Sequence, residues 1–198
     1  WWSAGEITRF VAAIPEETLI VLDEAYGETA PAGTLPPITL MRPNLLRYRT
    51  FSKAYGLAGM RVGYAIGTAQ AVAAFDRIRN HFGVTKLSQI AAGAALADQD
   101  YLEQTLAAIA TGREEIARRT KDLGLKPIPS ATNFVAIDCG ADNAYATLVL
   151  NAMQDRGIFI RKPAVARLNR CIRMSVGTPK DIALACDVLE DIIETATR

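Results

Sequence analysis

The sequence predicts an α/β fold, and three observations carry that reading. Residues 18–23 (TLIVLD) run continuously apolar and β-branched before ending on an acid, the pattern of a strand buried on both faces of a parallel sheet. Two further strand-like runs, 45–51 and 62–67, precede a block of helices at 69–80, 86–98 and 100–123. After Gly124 and Pro127 a second alternation begins: a strand at 133–138, a helix at 143–156, strands at 158–161 and 171–176, and a helix over 179–196. The expected organisation is a mixed, mostly parallel sheet domain over 1–112 and a small α/β domain over 113–198.

Local signals support the individual elements. Ser3 stands three positions before Glu6, and Ile7, Phe10 and Val11 follow at helical spacing, so a capping box opens a helix over 3–13 that Pro15 stops. The glycine- and proline-rich stretch from 27 to 37 is a loop. In the helix at 100–123, Leu102, Leu106, Ile109, Ile116, Thr120 and Leu123 share one face. The closing helix places Ile182, Ala185, Leu189, Ile192 and Ile193 on one side, and Asp181 near its start suits the helix dipole.

Composition excludes several classes. Twenty-two basic and 21 acidic residues leave a net charge of +1, so nothing electrostatic favours nucleic acid or a membrane surface as a partner. The longest apolar run is roughly a third to a half of the 18 residues that a membrane span requires. Cys139, Cys171 and Cys186 are odd in number and lack metal-ligand spacing, which argues against disulfides and a zinc site and for a reducing, cytoplasmic compartment. With a single histidine, His81, a histidine-based metal site is excluded, so no metal is expected. His81 reads as a helix-end residue, and Trp1 and Trp2 as rings packed against preceding chain.

Residues able to do chemistry collect in two places. Asp23-Glu24-Ala25-Tyr26 lies at the C-terminal end of a buried strand, where open α/β sheets bind ligands; on its own it reads more readily as a loop cap and a packed ring. Residues 50–64 (TFSKAYGLAGMRVGY) gather two hydroxyls, Lys53 and Arg61, with glycines that permit tight turns. Their neighbours Phe51, Leu57, Met60 and Val62 are too apolar for an ordinary exposed loop.

These segments resemble the lysine region of the fold-type I enzymes that use pyridoxal 5'-phosphate (PLP), in particular the class I and II aminotransferases. The resemblance implies that Lys53 bonds the cofactor and shuttles the substrate proton. It implies that Asp23 pairs with the pyridine nitrogen, that Tyr26 donates to the ring oxygen, and that Thr50, Ser52 and Arg61 hold the phosphate. In the later part of the chain, CIRMSVGT at 171–178 resembles the segment whose arginine clamps the substrate carboxylate, which implies that role for Arg173. Asn133 matches a position near the substrate. GIFIR at 157–161 resembles the histidinol-phosphate aminotransferase subfamily, which implies that Arg161 recognises a distal phosphate.

The function implied is transamination between an amino acid or amino-alcohol phosphate, plausibly L-histidinol phosphate, and 2-oxoglutarate, in a homodimer. An aromatic aminotransferase, a PLP-dependent amino acid phosphate decarboxylase and a truncated non-catalytic fragment are the alternatives. The start Trp1-Trp2-Ser3 carries no Met, so the chain is expected to be the C-terminal part of such an enzyme, beginning late in the large domain. The family's preceding half supplies a phosphate-binding helix N-terminus, a ring stacked on the cofactor, and a tyrosine crossing the dimer interface. The 198 residues alone are therefore expected to bind PLP weakly.

Overall fold

The computed structural model describes residues 1–196. Helix α1 (Ala4–Ala13) begins as the sequence predicts: the Ser3 hydroxyl accepts from the Glu6 amide at 3.3 Å, and the Glu6 carboxylate accepts from the Ser3 amide at 2.7 Å. At its other end Arg42 donates to the carbonyls of Val11 and Ile14, placing a cation where the helix dipole favours one.

The first sheet runs in the order β1 (Ile20–Asp23), β2 (Leu45–Thr50), β3 (Gly63–Ile66). β1 and β2 are parallel, with Asp23 opposite Tyr48, whereas β2 and β3 are antiparallel, with Thr50 opposite Gly63. The sheet is mixed, as expected. Val11 of α1 packs on Ile20 and Leu45, with Ile7, Ile14, Leu22 and Leu40 around them. The expectation that β1 is buried on both faces requires correction: Val21 is 47% exposed, because α1 packs only on the side of Ile20.

Helix α2 (Ala69–Ala73) is capped by Thr68 and tightens into a 3-10 turn over Ala74–Arg77, short of the expected 69–80. Neither segment buries a residue, and Ile78 is 80% exposed, so no packed apolar face sustains a longer helix. Thr85 caps α3 (Lys86–Ala97), and α4 (Gln99–Asp122) follows. The chain resolves into two compact units, Trp1–Leu106 and Ala107–Arg198, so the division falls inside α4.

In the second unit β4 (Lys126–Ile128), β5 (Phe134–Asp138) and β6 (Cys171–Ser175) form an antiparallel sheet in that order. Helices α5 (Asn143–Asp155), capped by Asp142, and α6 (Pro179–Ala196) complete it. Period-two alternation sorts the sheet: Val135, Ile137, Ile172 and Met174 are buried in one core with Ile116, Val149, Met153 and Leu189. Arg173, Ala136 and Phe134 occupy the opposite face. β4 escapes sequence reading because Pro127 lies within it, which an edge strand tolerates. The expected strand at 158–161 does not form; Arg161 alone bridges to Arg173. Before it Phe159 is 86% exposed, and after it the next pair would need the amide of residue 163, which Pro163 lacks.

Two glycines test this packing with opposite signs. A Cβ at Gly112 would lie 2.5 Å from Val176 Cγ1, whereas one at Gly93 of α3 meets nothing within 4 Å. Gly112→Ala is expected to destabilise by about 1–3 kcal/mol. Gly93→Ala should stabilise by about 0.4–1 kcal/mol, both read by urea denaturation.

Candidate active site

The parallel register of β1 and β2 puts their C-terminal ends at one sheet edge, so Asp23 and the turn that follows Thr50 emerge side by side. β3 begins opposite Thr50, which returns Arg61 to the same edge. Three segments distant in sequence are thus gathered where a parallel sheet binds ligands.

Within this edge the Lys53 Nζ lies 5.0 Å from the centre of the Tyr26 ring. The Thr50 hydroxyl donates to the Ser52 hydroxyl at 2.9 Å and accepts from the Ser52 amide at 3.1 Å, folding the two oxygens together. Asp23 is exposed at the end of β1, and its Oδ1 accepts from the Ala25 amide at 3.0 Å. Phe51 is buried beneath the turn and packs on Tyr55 and Tyr64, with ring centres 4.9 and 5.5 Å away.

Arg61 is reached through a 3-10 turn over Ala58–Met60. It is the only non-glycine with positive φ among the described residues, at φ 50° and ψ 45°. A side chain held in the left-handed region costs free energy and persists where its surroundings demand it. Here the buried Ser88 of α3 donates to the Met60 carbonyl at 2.7 Å and holds the turn. The Arg61 guanidinium donates to the Ala58 carbonyl at 2.9 Å.

This donor set suits PLP. One carboxylate would serve a protonated ring nitrogen, one phenol a ring oxygen, one amine the aldehyde carbon, and two hydroxyls with one guanidinium a phosphate. The strained Arg61 and the paired hydroxyls of Thr50 and Ser52 are the structural observations that bear on the fit.

Sequence reasoning missed what lies behind the edge. Glu24 is 7% exposed and accepts from Arg47 Nε at 2.8 Å and Arg49 Nε at 3.0 Å. Arg47 is fully buried and also donates to the carbonyls of Pro37 and Pro36, at 2.9 and 3.0 Å. Glu28 lies 3.6 Å from Arg49, and burial raises the pKa of its carboxyl above the usual range. A signal was present: two arginines two apart in an otherwise apolar strand must share a face and, once buried, require acids.

In the second unit two of the three candidate residues, Arg161 and Arg173, are paired across the sheet, and Asn133 lies at its end. Arg161 and Arg173 exchange both backbone hydrogen bonds, at 3.0 and 2.6 Å, so their side chains leave the same face of the sheet. The Arg173 guanidinium lies 4.5 Å from the centre of the Phe134 ring, and its buried Nε has no hydrogen-bond partner. Asn133 precedes β5 and accepts the Val176 amide on its carbonyl at 2.9 Å, at the end of the same sheet. Two arginines paired across the sheet, one with an unpartnered buried Nε, are a donor set that would suit an anion.

A mixed α/β sheet with an acid, a phenol and a lysine turn at the carboxyl edge of its parallel strands, followed by a small antiparallel unit, is the arrangement of the fold-type I transferases. The sequence matches the model of the family described as aminotransferase class I and II over residues 2–189, and the chain belongs to that family. It is 40% identical over 184 residues to histidinol-phosphate aminotransferase 2 of Pseudomonas aeruginosa, covering 91% of this chain and 49% of that protein. It is 37% identical over 191 residues to histidinol-phosphate aminotransferase 1 of Psychrobacter arcticus, covering 96% and 50%. The structure superposes with a TM-score of 0.95 and 52% identity on a histidinol-phosphate aminotransferase from Sinorhizobium meliloti, solved in complex with pyridoxal-5'-phosphate, covering 99% of this chain and 54% of that one. The chain spans about half the length of the curated relatives it matches.

The cysteines stand apart from this chemistry. All three are free and buried, and burial pushes the Cys139 thiol up to about 11. A thiol reagent at pH 7.5 should therefore leave the native cysteines unlabelled and modify three per chain after denaturation. Prompt native labelling of Cys139 would show that its site opens.

Proposed function

We propose that the polypeptide containing this chain is a PLP-dependent aminotransferase that moves the amino group of L-histidinol phosphate to 2-oxoglutarate. It works as a homodimer in the cytoplasm, where the three buried thiols stay reduced. The observation that carries the reading is Lys53, poised over Tyr26 at the carboxyl edge of β1 and β2. The similarity to histidinol-phosphate aminotransferases supports the choice of donor.

Bound PLP supplies an electron sink for negative charge at the substrate α-carbon. Asp23 would pair with the protonated ring nitrogen, and the Tyr26 hydroxyl would donate to the ring oxygen. Thr50, Ser52 and Arg61 would hold the phosphate. The Lys53 amine would be the base that takes the proton from the substrate α-carbon and the acid that later gives it back.

Arg161 and Arg173 recognise the substrate's anion. In L-histidinol phosphate the phosphate ester hangs from the carbon that is a carboxylate in an amino acid. Two arginines paired across the sheet would accommodate either group, the phosphate in one half-reaction and a 2-oxo acid carboxylate in the other. Asn133, at the end of the same sheet, would contribute to substrate binding.

Two measurements test the proposal. In the full-length polypeptide, Lys53→Ala should abolish the lysine-dependent absorbance band of bound PLP together with turnover; a band that persists would falsify the assignment. Arg161→Ala should raise KM for L-histidinol phosphate by about ten- to a hundredfold, as expected for a lost charge-assisted hydrogen bond. Its effect on KM for phenylalanine should be much smaller, and equal effects on the two would remove the phosphate-recognition role.

A further inference from the structure

We infer that Glu24 is a positioning residue for Asp23 and Tyr26, acting through Arg47 and Arg49. The inference deepens the PLP reading and rests on it. Glu24 stands between the two cofactor-facing residues, and its backbone is fixed on both sides. Its amide donates to the Tyr48 carbonyl at 2.8 Å, and its carbonyl accepts from the Gly27 amide at 2.8 Å. Its carboxylate is shared by the Nε atoms of Arg47 and Arg49.

Each arginine is itself anchored. Arg47 holds the carbonyls of Pro36 and Pro37, so the loop that follows Tyr26 is tied to the strand bearing the lysine turn. Arg49 is within 3.6 Å of Glu28, two residues beyond Tyr26. Four charged groups, Glu24, Glu28, Arg47 and Arg49, therefore clamp the 23–28 turn from its buried side. With each carboxylate oxygen of Glu24 taken by a different arginine, the charge-assisted bonds fix the carboxylate from two directions.

Removing the Glu24 charge leaves two guanidiniums facing one neutral acceptor in a buried site. Such a site relaxes by moving the turn or admitting water, since an unpaired buried charge is costly. The residues that move with it are Asp23 and Tyr26, whose value to the cofactor depends on orientation.

The experiment uses the full-length polypeptide with PLP and the isosteric variant Glu24→Gln. The readouts are the dissociation constant for PLP and the pH midpoint of the lysine-dependent absorbance band, which answers to charge and hydrogen bonding at the ring. PLP binding is expected to weaken by about tenfold or more. The midpoint should move by about half a pH unit or more, in the direction produced by Tyr26→Phe. Met153→Ala, a core change in the other unit, should lower stability and leave the midpoint in place. Where Glu24→Gln does not fold, Arg49→Gln, at a side chain 17% exposed, releases one oxygen of the same carboxylate and should shift the midpoint in the same sense. A folded variant with an unchanged midpoint and dissociation constant overturns the inference. A band that survives Lys53→Ala overturns the PLP reading instead.

Discussion

The carboxylate of Glu24, shared between Arg47 and Arg49, is the interaction on which the first unit depends. A buried ion pair stabilises little once desolvation is counted, but breaking one is expensive, so it selects one arrangement against its competitors. Here it joins the turn after β1 to the strand that leads into the lysine segment. The hydrogen bonds from Arg47 to Pro36 and Pro37 extend that joint to a loop with few apolar anchors of its own. The chemistry-bearing edge is therefore held from behind by charge, while the core of Val11, Ile20 and Leu45 holds the sheet from the side of α1.

The second unit solves a different problem with one sheet. Its inner face is a continuous apolar core with α5 and α6, which leaves the outer face free to carry charge. Arg173 keeps its place there by laying its guanidinium on Phe134, an arrangement that compensates part of its desolvation without using the buried Nε. The bridge to Arg161 then sets a second cation beside the first. Pro163 ends that pairing after a single residue, so Arg161 sits on a segment that is tethered to the sheet without being part of it.

Much of this was legible in the sequence, because the relevant signals are local. The Ser3–Glu6 capping box, the stripe along α4, the alternation of β5 and β6 and the lysine segment each depend on residues close together in the chain. The failures were of another kind. β4 was masked by Pro127, whose meaning depends on whether its strand is an edge. Residues 158–161 have strand composition, but only Arg161 pairs with a neighbouring strand. Val21 looked buried because composition reports what a side chain prefers and cannot report what covers it.

By itself the sequence determined the α/β fold class and most element types, and by resemblance it pointed to Asp23, Tyr26, Thr50, Ser52, Lys53 and Arg61 as the expected cofactor residues. Only the tertiary structure decided that Glu24 faces Arg47 and Arg49, 23 and 25 positions away, and that Arg161 lies opposite Arg173. The physical reason is register. Parallel and antiparallel pairing sets which distant residues share a face, and a buried charge is tolerable only where that register brings its counter-charge within hydrogen-bonding distance.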